Sequence, residues 1–75
     1  MRLYIALISD ANGYYCHVWG KALSWHQFLN QLEDVGCEVI ENQTDDHDDW
    51  NDDEIMEDYI SIDQLINHPD YVAHK

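Results

Sequence analysis

Residues Arg2–Trp19, RLYIALISDANGYYCHVW, decide the fold. Arg2 to Ile8 is a short apolar run rich in β-formers, the pattern of a strand buried on at least one face. Asn12-Gly13 is the strongest short-range hairpin signal, because both residues tolerate the left-handed backbone that a tight turn requires. Tyr14 to Trp19 is again rich in residues that favour a pleated, half-buried surface. The stretch predicts a β-hairpin whose second strand ends at Gly20.

The neighbouring segments extend this outline. Ser24-Trp25-His26-Gln27 matches the S-x-x-Q capping box, in which the Ser and Gln side chains satisfy backbone donors that a helix start leaves unpaired. A helix is predicted from Trp25, with Trp25, Phe28, Leu29, Leu32 and Val35 on one apolar face and Gly36 as C-terminal cap. Cys37 to Glu41 reads as a third strand. Thr44 suits a helix cap, yet Asp is a poor helix former and like charges at i, i+4 repel, so residues 44–54 read as a loop or a strained helix. Ile55 to Ile60 fits a fourth strand or a continuing helix. Ser61-Ile62-Asp63-Gln64 repeats the capping box and predicts a short helix through Asn67 that stops near His68, because Pro69 follows. Tyr71 and Val72 are expected to anchor the end. The expected architecture is one α+β domain over residues 1–75: a small antiparallel sheet, made of the hairpin plus one or two further strands, covered by one main helix and followed by a short C-terminal helix.

Acid content sets this chain apart. Glu41 to Asp58, ENQTDDHDDWNDDEIMED, holds ten of the sixteen acids and no Lys or Arg. Such crowding opposes folding through mutual repulsion, so its use lies outside the fold. A solvated acidic loop is the ordinary interpretation, but such tracts are poor in aromatic and β-branched residues, whereas this one holds Trp50, Ile55 and Met56. The segment 41–58 is therefore expected to be displayed on the domain. Its candidate partner-binding residues are Asp45, Asp46, Asp48, Asp49, Trp50, Asp52, Asp53, Glu54, Glu57 and Asp58, with Trp50 as an interface anchor. Glu33, Asp34 and Glu38 are candidates for a second acidic row.

A net charge of -13, with Arg2, Lys21 and Lys75 the only Lys and Arg residues, excludes direct binding to DNA or RNA and to anionic lipid, since no basic patch can be assembled. Proteins with basic, nucleic-acid-binding grooves are the matching partners. Neither a signal sequence nor a membrane-spanning apolar run is legible, which points to the cytoplasm, and to the host cytoplasm if the chain is phage-encoded. Seventy-five residues bury a modest core, which homodimer formation would supplement.

Metal and catalytic readings fit less well. An EF-hand register starting at Asp46 puts Trp50 and Asn51 where a ligand and the sharp-turn Gly belong; starting at Asp49 puts Ile60 at the last ligand position. Cys16, His17, His26 and Cys37 match no zinc spacing, and neighbouring Cys16 and His17 point to opposite faces of a strand. Two cysteines without a secretory signal read as reduced thiols. No nucleophile, acid and base cluster is recognisable. The expectation is a non-enzyme with no cofactor and no metal site.

In functional class the chain resembles small acidic phage and plasmid proteins that imitate DNA to block restriction enzymes, CRISPR effectors or DNA-repair enzymes. The resemblance rests on size, the acidic block and the α+β outline, with a fainter echo of antirestriction proteins in RLYIALI, Asn12-Gly13 and Trp19 before a helix. It implies an inhibitor, of anti-CRISPR or antirestriction type, whose carboxylates stand in for phosphates. The alternatives are an acidic adaptor, for instance a regulator of RNA polymerase binding through apolar surface, and a divalent-cation module.

Overall fold

The structure is a computed structural model that describes residues 1–44 and 51–74. Among the described residues seven elements follow one another: β1 (Arg2–Ser9), β2 (Tyr15–Ala22), α1 (Trp25–Asp34), β3 (Glu38–Asn42), α2 (Asp52–Asp58), β4 (Ile60–Ser61) and α3 (Ile62–Ile66). The four strands form one sheet in the order β3-β1-β2-β4. β1 pairs antiparallel with both β2 and β3. β4 pairs parallel with β2, through Val18 with Ile60 and Trp19 with Ser61, so the sheet is mixed and not purely antiparallel. The α+β class stands.

The hairpin forms where the residue pattern places it, but its turn is longer than a two-residue Asn-Gly connection. Asp10 organises five residues: its Oδ1 accepts from the Asn12 and Tyr14 N–H groups at 3.0 and 3.1 Å, and its own N–H donates to the Tyr14 carbonyl. Gly13 takes the left-handed conformation this loop needs, with φ 84°. Nor does Gly20 end β2. It lies inside the strand opposite Tyr4, where the Phe28 ring covers it so closely that a Cβ would come within 2.6 Å of the ring. Helix packing, which no local signal announces, thus selects glycine there.

α1 starts as expected, with Ser24 Oγ accepting from the Gln27 N–H, although Gln27 Oε1 accepts from Leu23 rather than from Ser24. It ends in a Schellman motif. Gly36 (φ 80°) donates to Glu33 and Cys37 donates to Leu32, pairing two carbonyls that the helix end leaves open. Phe28 and Leu32 pack onto Tyr4, Ala6, Ile8, Val18 and Ala22, the even-numbered residues of β1 and β2, together with Leu65 of α3. Because side chains alternate along a strand, α1 and α3 share one face of the sheet.

The other face is covered too. Ile5 and Ile55 are both buried yet stand apart from the main cluster. His17, odd-numbered in β2, stacks on Tyr59 with 5.0 Å between ring centroids. α2 therefore sits opposite α1, so α1 is the main helix, as its ten residues suggest, but it shares the covering of the sheet with shorter helices.

The segment that Thr44 is expected to open, from Asp45 onward, lies outside the described residues up to Trp50, but Thr44 itself is placed. Its hydroxyl does not cap α2; it accepts from the Ile5 N–H at 3.0 Å and donates to the Ile5 carbonyl at 3.2 Å, holding the chain against β1 beyond the end of β3. The cap is Asn51, whose Oδ1 accepts from Glu54 at 2.9 Å. Ser61 and Gln64 complete a reciprocal capping box on α3. The C-terminal segment returns across the sheet end, with Tyr71 donating to the Val35 carbonyl at 2.6 Å and Val72 exchanging bonds with Ala11 and Asp10. Tyr71 and Val72 do anchor the end.

Candidate protein-interaction surface

Half of the expected contact residues can be placed. Asp52, Asp53, Glu54, Glu57 and Asp58 form α2 and are all exposed, while Ile55 is 3% exposed and faces inward. Asp45, Asp46, Asp48, Asp49 and Trp50 lie outside the described residues, as does His47.

Opposing terms act on α2. Asp52, Asp53 and Glu54 occupy its first turn, where the helix dipole favours negative charge. Glu57 and Asp58 occupy its last turn, where the dipole opposes them, and they stand four residues from Asp53 and Glu54, so the pairs repel. Seven residues with five acids would not hold a helix in isolation. Tertiary contacts decide the balance: burial of Ile55, worth about 1.5–3 kcal/mol, the Asn51 cap, and the bond from Trp19 Nε1 to the Tyr59 carbonyl at 2.9 Å. At ~1.5 Å of rise per residue the helix shows about one carboxylate per 2 Å, against one phosphate charge per ~1.7 Å of duplex DNA.

The second row is only partly as expected. Glu38 and Glu41 pair with Ser9 and Leu7, odd-numbered residues of β1, and so lie on the sheet face that α2 covers. Glu33 and Asp34 end α1, the helix on the other face, although Glu33 and Glu38 line one groove together. Glu38 Oε2 is also engaged at 3.5 Å by the Ser9 hydroxyl.

Among the described residues, no cluster of three or more His, Cys, Asp or Glu side chains is arranged to hold a metal ion. Cys16 and His17 do point to opposite faces: Cys16 adjoins the main core while His17 stacks on Tyr59. Both cysteines are free thiols. Burial, opposed in part by a backbone hydrogen bond, pushes Cys37 up to about 11, and burial followed by the charge of Asp10 raises Cys16. These are protonated structural thiols, not the low-pKa thiolates of a nucleophilic site. Among the aromatic residues, Tyr4 and Phe28 are central to the core and Trp25 borders them, whereas Trp19 lies on the α2 face.

One surface escaped sequence reasoning. A groove of about 560 Å³ opens between the hairpin loop and the C-terminal segment, lined in part by Tyr14, Tyr15 and Tyr71. Its walls lie more than fifty residues apart in the chain, so no local pattern marks it. Among the described residues no helix is long and apolar enough to cross a membrane. Comparison with protein families, curated proteins and solved structures gives no match.

Proposed function

We propose that this protein is a DNA-mimic inhibitor, which uses its carboxylate surface to occupy the nucleic-acid-binding site of a host or defence protein such as a CRISPR effector or a restriction or repair nuclease. The observation that carries this reading is α2 itself. Five acids are held outward on a helix pinned by Ile55, Asn51 and Trp19, with no basic residue in its last turn. A solvating tract needs no fixed shape; a phosphate mimic does, because spacing against Arg and Lys side chains sets its affinity. Inhibition would then be steric and electrostatic competition for the groove, with long-range attraction speeding encounter.

The test is affinity capture from a bacterial lysate followed by challenge with excess duplex DNA. The expected partner is a nucleic-acid-binding protein that DNA releases, that dissociates as salt rises, and that an Asp52→Asn, Asp53→Asn, Glu54→Gln variant no longer retains. A partner indifferent to DNA, salt and that variant would overturn mimicry and favour an adaptor.

A further inference from the structure

From the groove between the hairpin loop and the C-terminal segment, we infer that this protein has a second binding site, one that takes an arginine side chain of an extended basic segment in a partner protein. The groove contains no residue of α2, so it is separate from the acidic helix and does not depend on the function proposed for it.

Three tyrosines line it. Tyr14 and Tyr15 are 71% and 67% exposed, and neither ring packs on another aromatic ring of the described residues. Tyr71 is fixed by its hydroxyl bond to Val35, leaving its ring as a wall. Tyrosines held at a rim with polar neighbours are poor for stability and well suited to recognition, because a rigid ring offers area at little entropic cost.

Charge selects among ligands. Asp10 and Asp70 line the groove, and neither Lys nor Arg does. Asp10 is buried and its carboxylate is bonded to N–H groups only, so its charge is held in place. That charge is felt inside the groove: behind the larger effect of burial it raises Cys16, and behind burial and Cys37 it helps to raise Tyr71. Aromatic faces together with a fixed negative field favour a cation, and a planar guanidinium can stack on tyrosine while donating to a carboxylate. The volume lies within the ~300–1,000 Å³ usual for ligand sites, so it admits the side chain together with flanking backbone. A second copy of this chain is disfavoured as occupant by the repulsion between two molecules of net charge -13.

The experiment titrates the full chain, followed by NMR, with acetyl-Gly-Arg-Gly-Arg-Gly-amide and with its twin carrying neutral citrulline for arginine. The arginine peptide should shift the amides of Asn12 and Asp70 and the rings of Tyr14 and Tyr15, with the citrulline twin about tenfold weaker. Tyr14→Ala combined with Tyr15→Ala leaves the net charge unchanged and should weaken binding about fivefold or more, as should Asp70→Asn. Neutralising Asp52, Asp53 and Glu54 should leave the groove shifts in place, so failure of the mimic reading and of this one are distinguishable. Shifts confined to α2, equal response to citrulline, no effect of the tyrosine changes, or equal binding of a proline-rich peptide would each overturn the assignment.

Discussion

The indole N–H of Trp19 donates to the backbone carbonyl of Tyr59 at 2.9 Å. This bond ties the middle of the hairpin to the residue that ends the acidic helix, where the Tyr59 N–H closes the last helical turn onto Ile55. Trp19→Phe keeps a ring but removes the donor. It should cost about 1 kcal/mol in urea unfolding and speed hydrogen exchange at the Tyr59 amide. Partner capture should weaken although no charge has changed, since the helix would be held less firmly.

Glu57 and Asp58 test whether the charge serves a partner rather than the fold. Both sit at the helix end that the dipole makes unfavourable for acids, and both repel acids one turn earlier. Glu57→Gln with Asp58→Asn should raise the thermal midpoint by about 2–4 °C while weakening capture of a nucleic-acid-binding partner. The gain should shrink in high salt, which already screens the repulsion. A variant that is both less stable and fully active would contradict this account.

Asp10 is a buried acid with a structural task. Its two oxygens accept from Asn12, Tyr14 and, at a long 3.5 Å, Val72, joining the hairpin loop to the C-terminal segment. Asp10→Ala strands these donors and should cost roughly 2–4 kcal/mol. Asp10→Asn retains one oxygen acceptor and should cost less. Denaturant midpoints of the two variants, compared with the parent, check the order.

Cys37 gives the fold an alkaline limit. Its thiol lies at about 11 in the folded chain against an ordinary 9.0, chiefly through burial. Above pH 9 the unfolded chain therefore releases a proton that the folded chain retains, and stability falls as pH rises. The contribution is present in full below pH 9 and diminishes up to about 11, amounting at most to about 2–3 kcal/mol. Cys16 and Tyr71, also raised, act in the same direction. Unfolding free energies measured between pH 8 and 11 should slope downward, and Cys37→Ala should flatten part of that slope.

Sequence alone determined the features whose hydrogen bonds close within a few residues. The Ser24 cap bonds to Gln27, the Ser61–Gln64 box closes over three residues, and Gly36 supplies the positive φ of a helix end; each is dictated by backbone groups that lack other partners. The β-forming run Arg2–Ile8 and the Asn12-Gly13 turn likewise marked out the hairpin, though not which face of β1 the main core would take, since apolar residues occupy both. The acids were legible as composition, though not as a surface. Only tertiary structure decided that Thr44 would bond to Ile5, thirty-nine residues away, and leave the capping of α2 to Asn51. It also placed Gly20 under the Phe28 ring and brought Glu33 of α1 and Glu38 of β3 to one groove. The physical reason is the same in each case: these outcomes depend on groups that meet through the sheet, and their neighbours in the chain carry no record of the encounter.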